Sequence, residues 1–278
     1  MQASAVLTLD PRQTSGAVAS LARRVEAAEA ANVLLCAQAR CEWMGFDSDH
    51  DHARIGGGVT VYAGRWTHLN HALAFRDGLT DTDVLRVTRF FEKRSTEPVV
   101  RVSSLQRGVI QSFLRNGYTQ TGEAQVVVRQ ISAEELPDPG EVEIRTGSLQ
   151  PDLPWLRAST QGFCDREDVT DNDLQIGATL ALIPGAVRFA VTSAEGEVCS
   201  TAALTLQDGV ALLFGDSTRL AWRGLGLQRS AILSRLAYAS ASGCDLAVSE
   251  VDEGSGSARN YLRCGFTPAY TRVTLQRF

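Results

Sequence analysis

No apolar run in this chain approaches the roughly 18 residues that a membrane span requires, so no membrane-spanning helix is expected. The opening Met1-Gln2-Ala3-Ser4-Ala5-Val6 lacks the basic-then-apolar layout of a secretory leader. A basic block is missing too: 27 Lys and Arg against 32 Asp and Glu give a formal charge of −5, which argues against a nucleic-acid backbone as partner and agrees with a cationic amine as substrate. No two cysteines have the Cys-x-x-Cys spacing. Cys36, Cys41, Cys164, Cys199, Cys244 and Cys264 are scattered, the usage of reduced thiols packed as small hydrophobes and not of a disulfide or zinc framework. All four histidines precede residue 72, far in sequence from most of the thiols. A cytoplasmic protein without membrane or nucleic-acid partners is the expectation.

Hydrophobic residues make up 44% and charged residues 21%, which excludes global disorder. At 278 residues the length favours roughly two domains, each with its own core. Ser15 to Cys41 reads as an alanine-rich amphipathic helix with Val18, Leu21, Val25, Ala28, Ala31 and Leu35 near helical spacing. Asp47-Ser48-Asp49-His50-Asp51-His52 has the residue types of a metal site. Adjacent ligands rarely converge on one ion without partners elsewhere, so a polar loop and no metal are expected. Gly56-Gly57-Gly58 is a turn into the strand Val59-Thr60-Val61-Tyr62 and lacks the following helix that a phosphate cradle needs. Leu69 to Phe75 reads as another strand. Thr82 to Arg94 reads as a helix, Pro98 to Val102 as a strand, Leu105 to Arg115 as a helix and Gln125 to Val128 as a strand.

Ser132 to Gly140 is short and polar, holds two prolines, and reads as a linker. Beyond it come a strand at Glu141 to Arg145, helices at about Gln150 to Phe163 and Asn172 to Leu182, and a hairpin of Val187 to Thr192 with Val198 to Leu206 around Glu195-Gly196-Glu197. The apolar Val210 to Phe214 is a buried strand, and Arg223-Gly224-Leu225-Gly226-Leu227-Gln228 opens a helix whose Ile232, Leu233, Leu236 and Ala237 share a face. Two glycines before a helix either serve a tight turn or let several N–H groups converge where the helix dipole favours an anion. A strand at Leu246 to Ser249 and a short helix from Ser257, stopped by Gly265, then lead into a strand from Phe266.

Arg223-Gly224-Leu225-Gly226, followed at a fixed distance by Tyr261 four residues before Gly265-Phe266, resembles the GNAT superfamily of acyl-coenzyme A-dependent N-acyltransferases. The first motif is similar to the start of that family's pyrophosphate loop, and the tyrosine stands where the family often carries one. Placing Phe113-Leu114-Arg115-Asn116-Gly117-Tyr118-Thr119 over Tyr261-Leu262-Arg263-Cys264-Gly265-Phe266-Thr267 keeps Leu, Arg, Gly and Thr in place at an offset of 148 residues. The same offset sets Phe75-Arg76-Asp77-Gly78 over Arg223-Gly224-Leu225-Gly226. The fold class implied is mixed α/β: two tandem GNAT-like domains, 1–135 degenerate and 141–278 carrying the acetyl-CoA site, each a mostly antiparallel twisted sheet flanked by helices. The first copy has Phe75 for Arg223, Phe113 for Tyr261, and an added Asp77 whose charge opposes a pyrophosphate, so it is not expected to bind coenzyme A in the family manner. Its work is either to shape one wall of the substrate groove or simply to support the second half.

The resemblance implies that main-chain groups of Thr218, Arg219 and Leu220 pair with the pantetheine arm. The N–H groups of Gly224, Leu225, Gly226, Leu227 and Gln228 hold the pyrophosphate, and Arg223 adds charge. Tyr261 is the candidate acid for the leaving thiolate, a phenol of reference pKa about 10 being protonated near neutrality; its alternative is an aromatic that only packs. Glu250 is the candidate base, facing the splay if alternation turns Ser249 away, with Asp216, Asp252 or a water chain as alternatives. The sequence departs from the family at Gln228, Leu220 and Gly254, where glycine or alanine, proline and asparagine are common. The expected function is transfer of acetyl from acetyl-CoA to an amine by direct attack in a ternary complex. The alternative is a non-catalytic acyl-CoA-binding regulator or scaffold of the same fold. A small-molecule amine, a peptide N-terminus and a lysine side chain all stay open as acceptor, and so does a homodimer through exposed strand edges.

Overall fold

The computed structural model describes residues 11–44, 50–64, 67, 69–132, 137–146, 152–174, 178 and 183–278. After α1 (Pro11–Met44), the first half contains β1 (Asp51–Ile55), β2 (Gly58–Tyr62), β3 (His71–Leu73), α2 (Asp81–Glu92), β4 (Val99–Ser103), α3 (Arg107–Arg115) and β5 (Thr119–Gln130). The second half contains β6 (Glu143–Arg145), α4 (Leu153–Cys164), β7 (Val187–Thr192), β8 (Val198–Gln207), β9 (Val210–Thr218), α5 (Leu227–Ala241), β10 (Leu246–Val251), α6 (Gly256–Arg263) and β11 (Thr267–Gln276). Residues 171–174 are helical as well. Of the polar run at 47–52, residues 47–49 lie outside the described residues; Asp51 and His52 belong to β1, a strand and not a loop. Among the described residues, no group of His, Cys, Asp and Glu could hold a metal ion, and no helix is long and apolar enough to cross a membrane.

The described strands form one sheet in the order β1-β2-β3-β4-β11-β5-β10-β9-β8-β7-β6. The last strand of each half lies inside the other half. β11 pairs antiparallel with β4, Arg272 opposite Ser103, while β5 pairs antiparallel with β10, Val128 opposite Val248. β5 and β11 also pair with each other down the middle. The sequence repeat is therefore a structural one, with β4, α3 and β5 equivalent to β10, α6 and β11. The two helix ends match in detail. Tyr118 N–H donates to Phe113 O at 3.2 Å and Phe266 N–H to Tyr261 O at 3.1 Å. Each ring pair stands edge to face with centroids 4.9 Å apart. Such pairs contribute about 0.5–1.5 kcal/mol beyond area burial, enough to favour keeping aromatics at both ends.

Helices α2 and α3 cover the outer face of the first half, and α5 with α6 cover that of the second. The inner face carries α1 and α4. Helix α1 is not the one-sided amphipathic helix its spacing predicts. Ala22, Val25 and Ala28 pack on Val126, Val210 and Leu246, while Ala30, Val33 and Ala37 pack on Val59 and Val61 of β2 and on Ile183. Alanine suits such a place, because it favours helix and lets backbone approach backbone on more than one side.

The seam between the halves holds a buried ionic cluster. Arg272 of β11 is 1% exposed and pairs with Glu26 at 2.9 Å, Glu29 at 3.7 Å and Glu250 at 2.5 Å. Arg101 of β4 pairs with the other oxygen of Glu250, and Tyr270 donates to Glu26 at 2.6 Å. Burial works against the Arg272 charge, but the surrounding carboxylates outweigh it and raise its pKa well above the usual value. A cation with this many partners is worth less than their sum, because each ion also lost its water.

Candidate coenzyme-binding and acyl-transfer site

Strands β9 and β10 run parallel and pair only where Val210, Ala211 and Leu212 face Leu246, Ala247 and Val248. Past that point they part, bridged by Ser249 Oγ donating to Leu213 O at 3.0 Å. β9 goes on to Thr218, a turn of 3-10 helix follows over Leu220–Trp222, and Arg223 is extended. Gly224 and Gly226 then take φ values of +80° and +81°, and Gly226 caps α5 with no side-chain hydrogen bond. A Cβ on either glycine would meet nothing within 4 Å. The glycines therefore serve the backbone conformation and an open cradle, not a tight contact. The first N–H groups of a helix have no partner within it; among the described residues, those of Gly224, Leu225, Gly226, Leu227 and Gln228 donate to no backbone acceptor outside the helix. N–H groups left in this way at the start of a helix are of the kind that favour an anion.

The equivalent place in the first half is built shut. Gly78 has the same backbone sign, φ +86°, but Thr80 caps α2 in a capping box. Thr80 Oγ1 accepts from Asp83 N–H at 3.2 Å while the Asp83 carboxylate accepts from Thr80 N–H at 3.3 Å. A protein carboxylate thus already occupies the helix start, where a phosphate would otherwise sit. Phe75 is buried against Phe113, and Gln106 Nε2 ties its carbonyl to the start of α3 at 2.7 Å.

The residues named from sequence as cofactor contacts divide. Arg223 does not point free at the cradle: Nε donates to Thr218 O at 3.0 Å, Nη2 donates to Gly162 O at 2.8 Å, and the guanidinium pairs with Asp165. Arg219 N–H donates to Cys199 O at 3.1 Å, and its guanidinium pairs with Glu167 and Glu197. Thr218 O and Arg219 N–H are thus engaged within the protein, and Leu220 is exposed. These three carry the chain from the end of β9 toward the start of α5, while among the described residues the edge of β9 past Leu212 has no strand partner on the β10 side. The side chain of Gln228, at a position that is often glycine or alanine in the family, joins the two helices: Nε2 donates to Ser257 Oγ at 2.8 Å, and Oε1 accepts from Asn260 Nδ2 at 2.7 Å.

Tyr261 is fully buried, and its hydroxyl donates to Asp216 Oδ2 at 2.7 Å. Burial raises its pKa far above that of a free phenol. Asp216 in turn forms a two-point ion pair with Arg235, which is also fully buried. Arg235 is the member of this cluster that the pattern missed. On α5 it faces inward where Ala237, expected on the packing face, is exposed. The signal available was an arginine between Leu233 and Leu236, in the most apolar part of the helix.

Glu250 is not where alternation was expected to put it. Ser249 reaches across the splay toward β9, and Glu250 turns to the opposite face of the sheet, between Arg101 and Arg272. Burial pushes its carboxyl pKa up, but the two guanidinium groups outweigh this and hold it below the usual carboxylate range. A general base for an ammonium needs a pKa nearer neutrality.

No family model matches the chain, and no curated protein matches it. Solved structures do. A GCN5-related N-acetyltransferase from Kribbella flavida superposes with a TM-score of 0.67 at 18% identity, covering 92% of this chain and 95% of that one. A tandem GNAT protein from the clavulanic acid biosynthesis pathway gives 0.62 at 13% identity, covering 87% and 86%. A GCN5-related N-acetyltransferase from Sphaerobacter thermophilus gives 0.55 at 14%, covering 83% and 76%. These likenesses show the fold: the chain is built as a tandem GNAT fold.

Proposed function

We propose that the protein is an acyltransferase that moves acetyl from acetyl-coenzyme A to an amine, with the chemistry confined to the second half. The observation that carries this reading is the open start of α5, uncapped and glycine-lined at the end of a splayed strand, beside the capped start of α2 in the same chain. The backbone groups of Gly224 to Gln228 fit a pyrophosphate, and the unpaired edge of β9 fits the amides of a pantetheine arm. Arg223 contributes by pinning the cradle to the end of α4, and only secondarily by its charge.

In this reading the acyl end enters the gap between β9 and β10, with Tyr261 on one face and Glu250 on the other. Attack of a neutral amine on the thioester carbonyl expels the thiolate, and the chain must supply or relay one proton to it. Tyr261, aligned by its hydrogen bond to Asp216 and by the Asp216–Arg235 pair, is the donor of this proposal, and it regains from solvent the proton that it gives to the thiolate. Glu250 holds the seam, and the proton lost by the amine passes to solvent. The enclosure of the Tyr261 hydroxyl favours a second reading, a module that binds acyl-CoA without transfer; turnover of acetyl-CoA in the presence of amines separates the two.

Acetyl-CoA binding, measured by calorimetry on the full chain with Gly224→Glu and Asp77→Gly variants, tests the site. Binding at one place per chain, lost in Gly224→Glu and kept in Asp77→Gly, is expected. Absence of binding up to about 1 mM, where association is worth only about 4 kcal/mol, overturns the proposal.

A further inference from the structure

The gap between β9 and β10 has an inner face as well as the outer one where Tyr261 stands, and α1 of the first half runs over it. Ala22, Val25 and Ala28 of α1 share a cluster with Leu212 and Val248, the last residues that pair the two strands. Ala30 and Val33 share another with Phe214, the next inner-face residue of β9. Glu29 lies between these two sets of contacts, at the level where the strands part. Glu250, two residues past Val248 on β10, turns to the same inner face. Glu29 Oε1 and Glu250 Oε2 flank one nitrogen of Arg272, Nη1, at 3.7 Å and 2.5 Å.

The two carboxylates differ in what they already hold. Glu250 accepts hydrogen bonds from both Arg101 and Arg272. Glu29 has the 3.7 Å approach of Arg272, too long for a hydrogen bond. Burial raises its carboxyl pKa by more than Arg272 lowers it, so a further cation beside it would be favourable. The Glu29 side chain keeps 19% of its surface exposed, and those of Glu250 and Arg101 keep 26% and 25%, so a solute reaches all three. Glu26 and Arg272, with side chains 7% and 1% exposed, form the closed floor beneath them. Three carboxylates against two guanidinium groups leave a negative charge in excess at this face of the gap.

We infer that the acceptor is a diamine: one nitrogen enters the gap to meet the thioester, while the second stays charged and binds Glu29, with Glu250 beside it. The inference rests on acetyl transfer at the gap, and it gives the first half, through α1, the choice of acceptor. An ammonium group is compact and carries three donors, so it can serve both carboxylates at once. A monoamine of the same length would set an alkyl end against the Glu29 charge, in a place with little water to offset it.

Calorimetry on the full chain, with and without coenzyme A, tests the inference with a series of α,ω-diaminoalkanes from diaminopropane upward and the monoalkylamines of matching length. Acetylation of the same amines is followed in parallel. One diamine is expected to bind at one site per chain with Kd below about 1 mM, and its monoamine at least about tenfold more weakly. Glu29→Gln should remove most of that difference. Glu29→Asp draws the carboxylate back by one methylene and should move the preference to a longer diamine, a change that a merely structural role for Glu29 would not produce. The comparison of diamine with monoamine on the unaltered chain needs no variant to fold. Failure of every diamine to bind, equal binding of diamine and monoamine, or an unchanged length preference in Glu29→Asp overturns the inference. Acetylation of monoamines and diamines alike would remove this inference and leave acetyl transfer standing; selective diamine binding without acetylation would keep the Glu29 site and remove the transfer.

Discussion

Gly78 and Gly226 form a matched pair inside one molecule. Their φ values are +86° and +81°, both precede a long helix, and a Cβ at either would meet nothing within 4 Å. Alanine at either position therefore costs backbone strain alone, about 1–2 kcal/mol, with no clash to add. In a chain of this length that lowers the melting midpoint by about 2–8 °C, and by the same amount in both variants. Acetyl-CoA affinity should separate them. Reaiming the α5 start removes one charge-assisted N–H contact worth about 1.5–3 kcal/mol, so Gly226→Ala should weaken acetyl-CoA by about tenfold to somewhat over a hundredfold. Gly78→Ala should leave the affinity unchanged, since Thr80 and Asp83 already occupy its helix start. Urea unfolding and calorimetry on the two variants read both quantities. Equal losses of affinity in the two, or an undiminished affinity in Gly226→Ala, would refute the assignment of the cradle to the second half.

Arg272→Met leaves Glu26, Glu29 and Glu250 facing one another without their cation, and should cost about 3–5 kcal/mol by urea unfolding; a loss below about 1 kcal/mol would show that the cluster matters little. Tyr261→Phe should keep acetyl-CoA affinity while lowering kcat by about 10²–10⁴ if the phenol gives up its proton, and an unchanged kcat would remove it from the chemistry. Burial raises Tyr261 and Tyr270, and pushes Tyr118 and the Cys36 thiol up to about 12. An acid raised on folding stabilises the fold fully below its unfolded value and loses that contribution as pH climbs toward the folded one. Stability should therefore fall progressively above about pH 9–10, the unfolded range of these groups. Circular dichroism against urea at rising pH checks this, and a flat midpoint to about pH 12 would contradict it.

What the sequence made legible is whatever is local. The helix-ending glycines, the tyrosine spacing and the 148-residue repeat each reside in a few consecutive residues, and each is found in place. β1 was hidden because an edge strand with the exposed Asp51, His52 and Arg54 has no apolar alternation to read. Arg235 was hidden because periodicity asks for an apolar residue on the inner face, and an arginine there makes sense only once Asp216 and Tyr261 are known to meet it. Glu250 was misplaced for a related reason: alternation fixes that neighbours face opposite sides, but not which side is which. The exchange of β5 and β11 left no mark in either repeat, because both strands carry the same pattern wherever they dock.

That exchange also sets the order of events during synthesis. Residues 267–276, made well after β4 and β5, fill a gap in the centre of the sheet, where Arg272 meets Ser103 and Val273 meets Val102. Until then β4 and β5 each present a bare edge, and an early core of the first half waits unclosed while the rest of the chain is made. Contacts between residues so far apart in sequence form slowly, and exposed strand edges recruit other chains. Production of this protein should therefore depend on chaperones that hold nascent chains more than a chain closing its sheet in order would, and deletion of residues 267–276 should leave an aggregating product, not a foldable first domain.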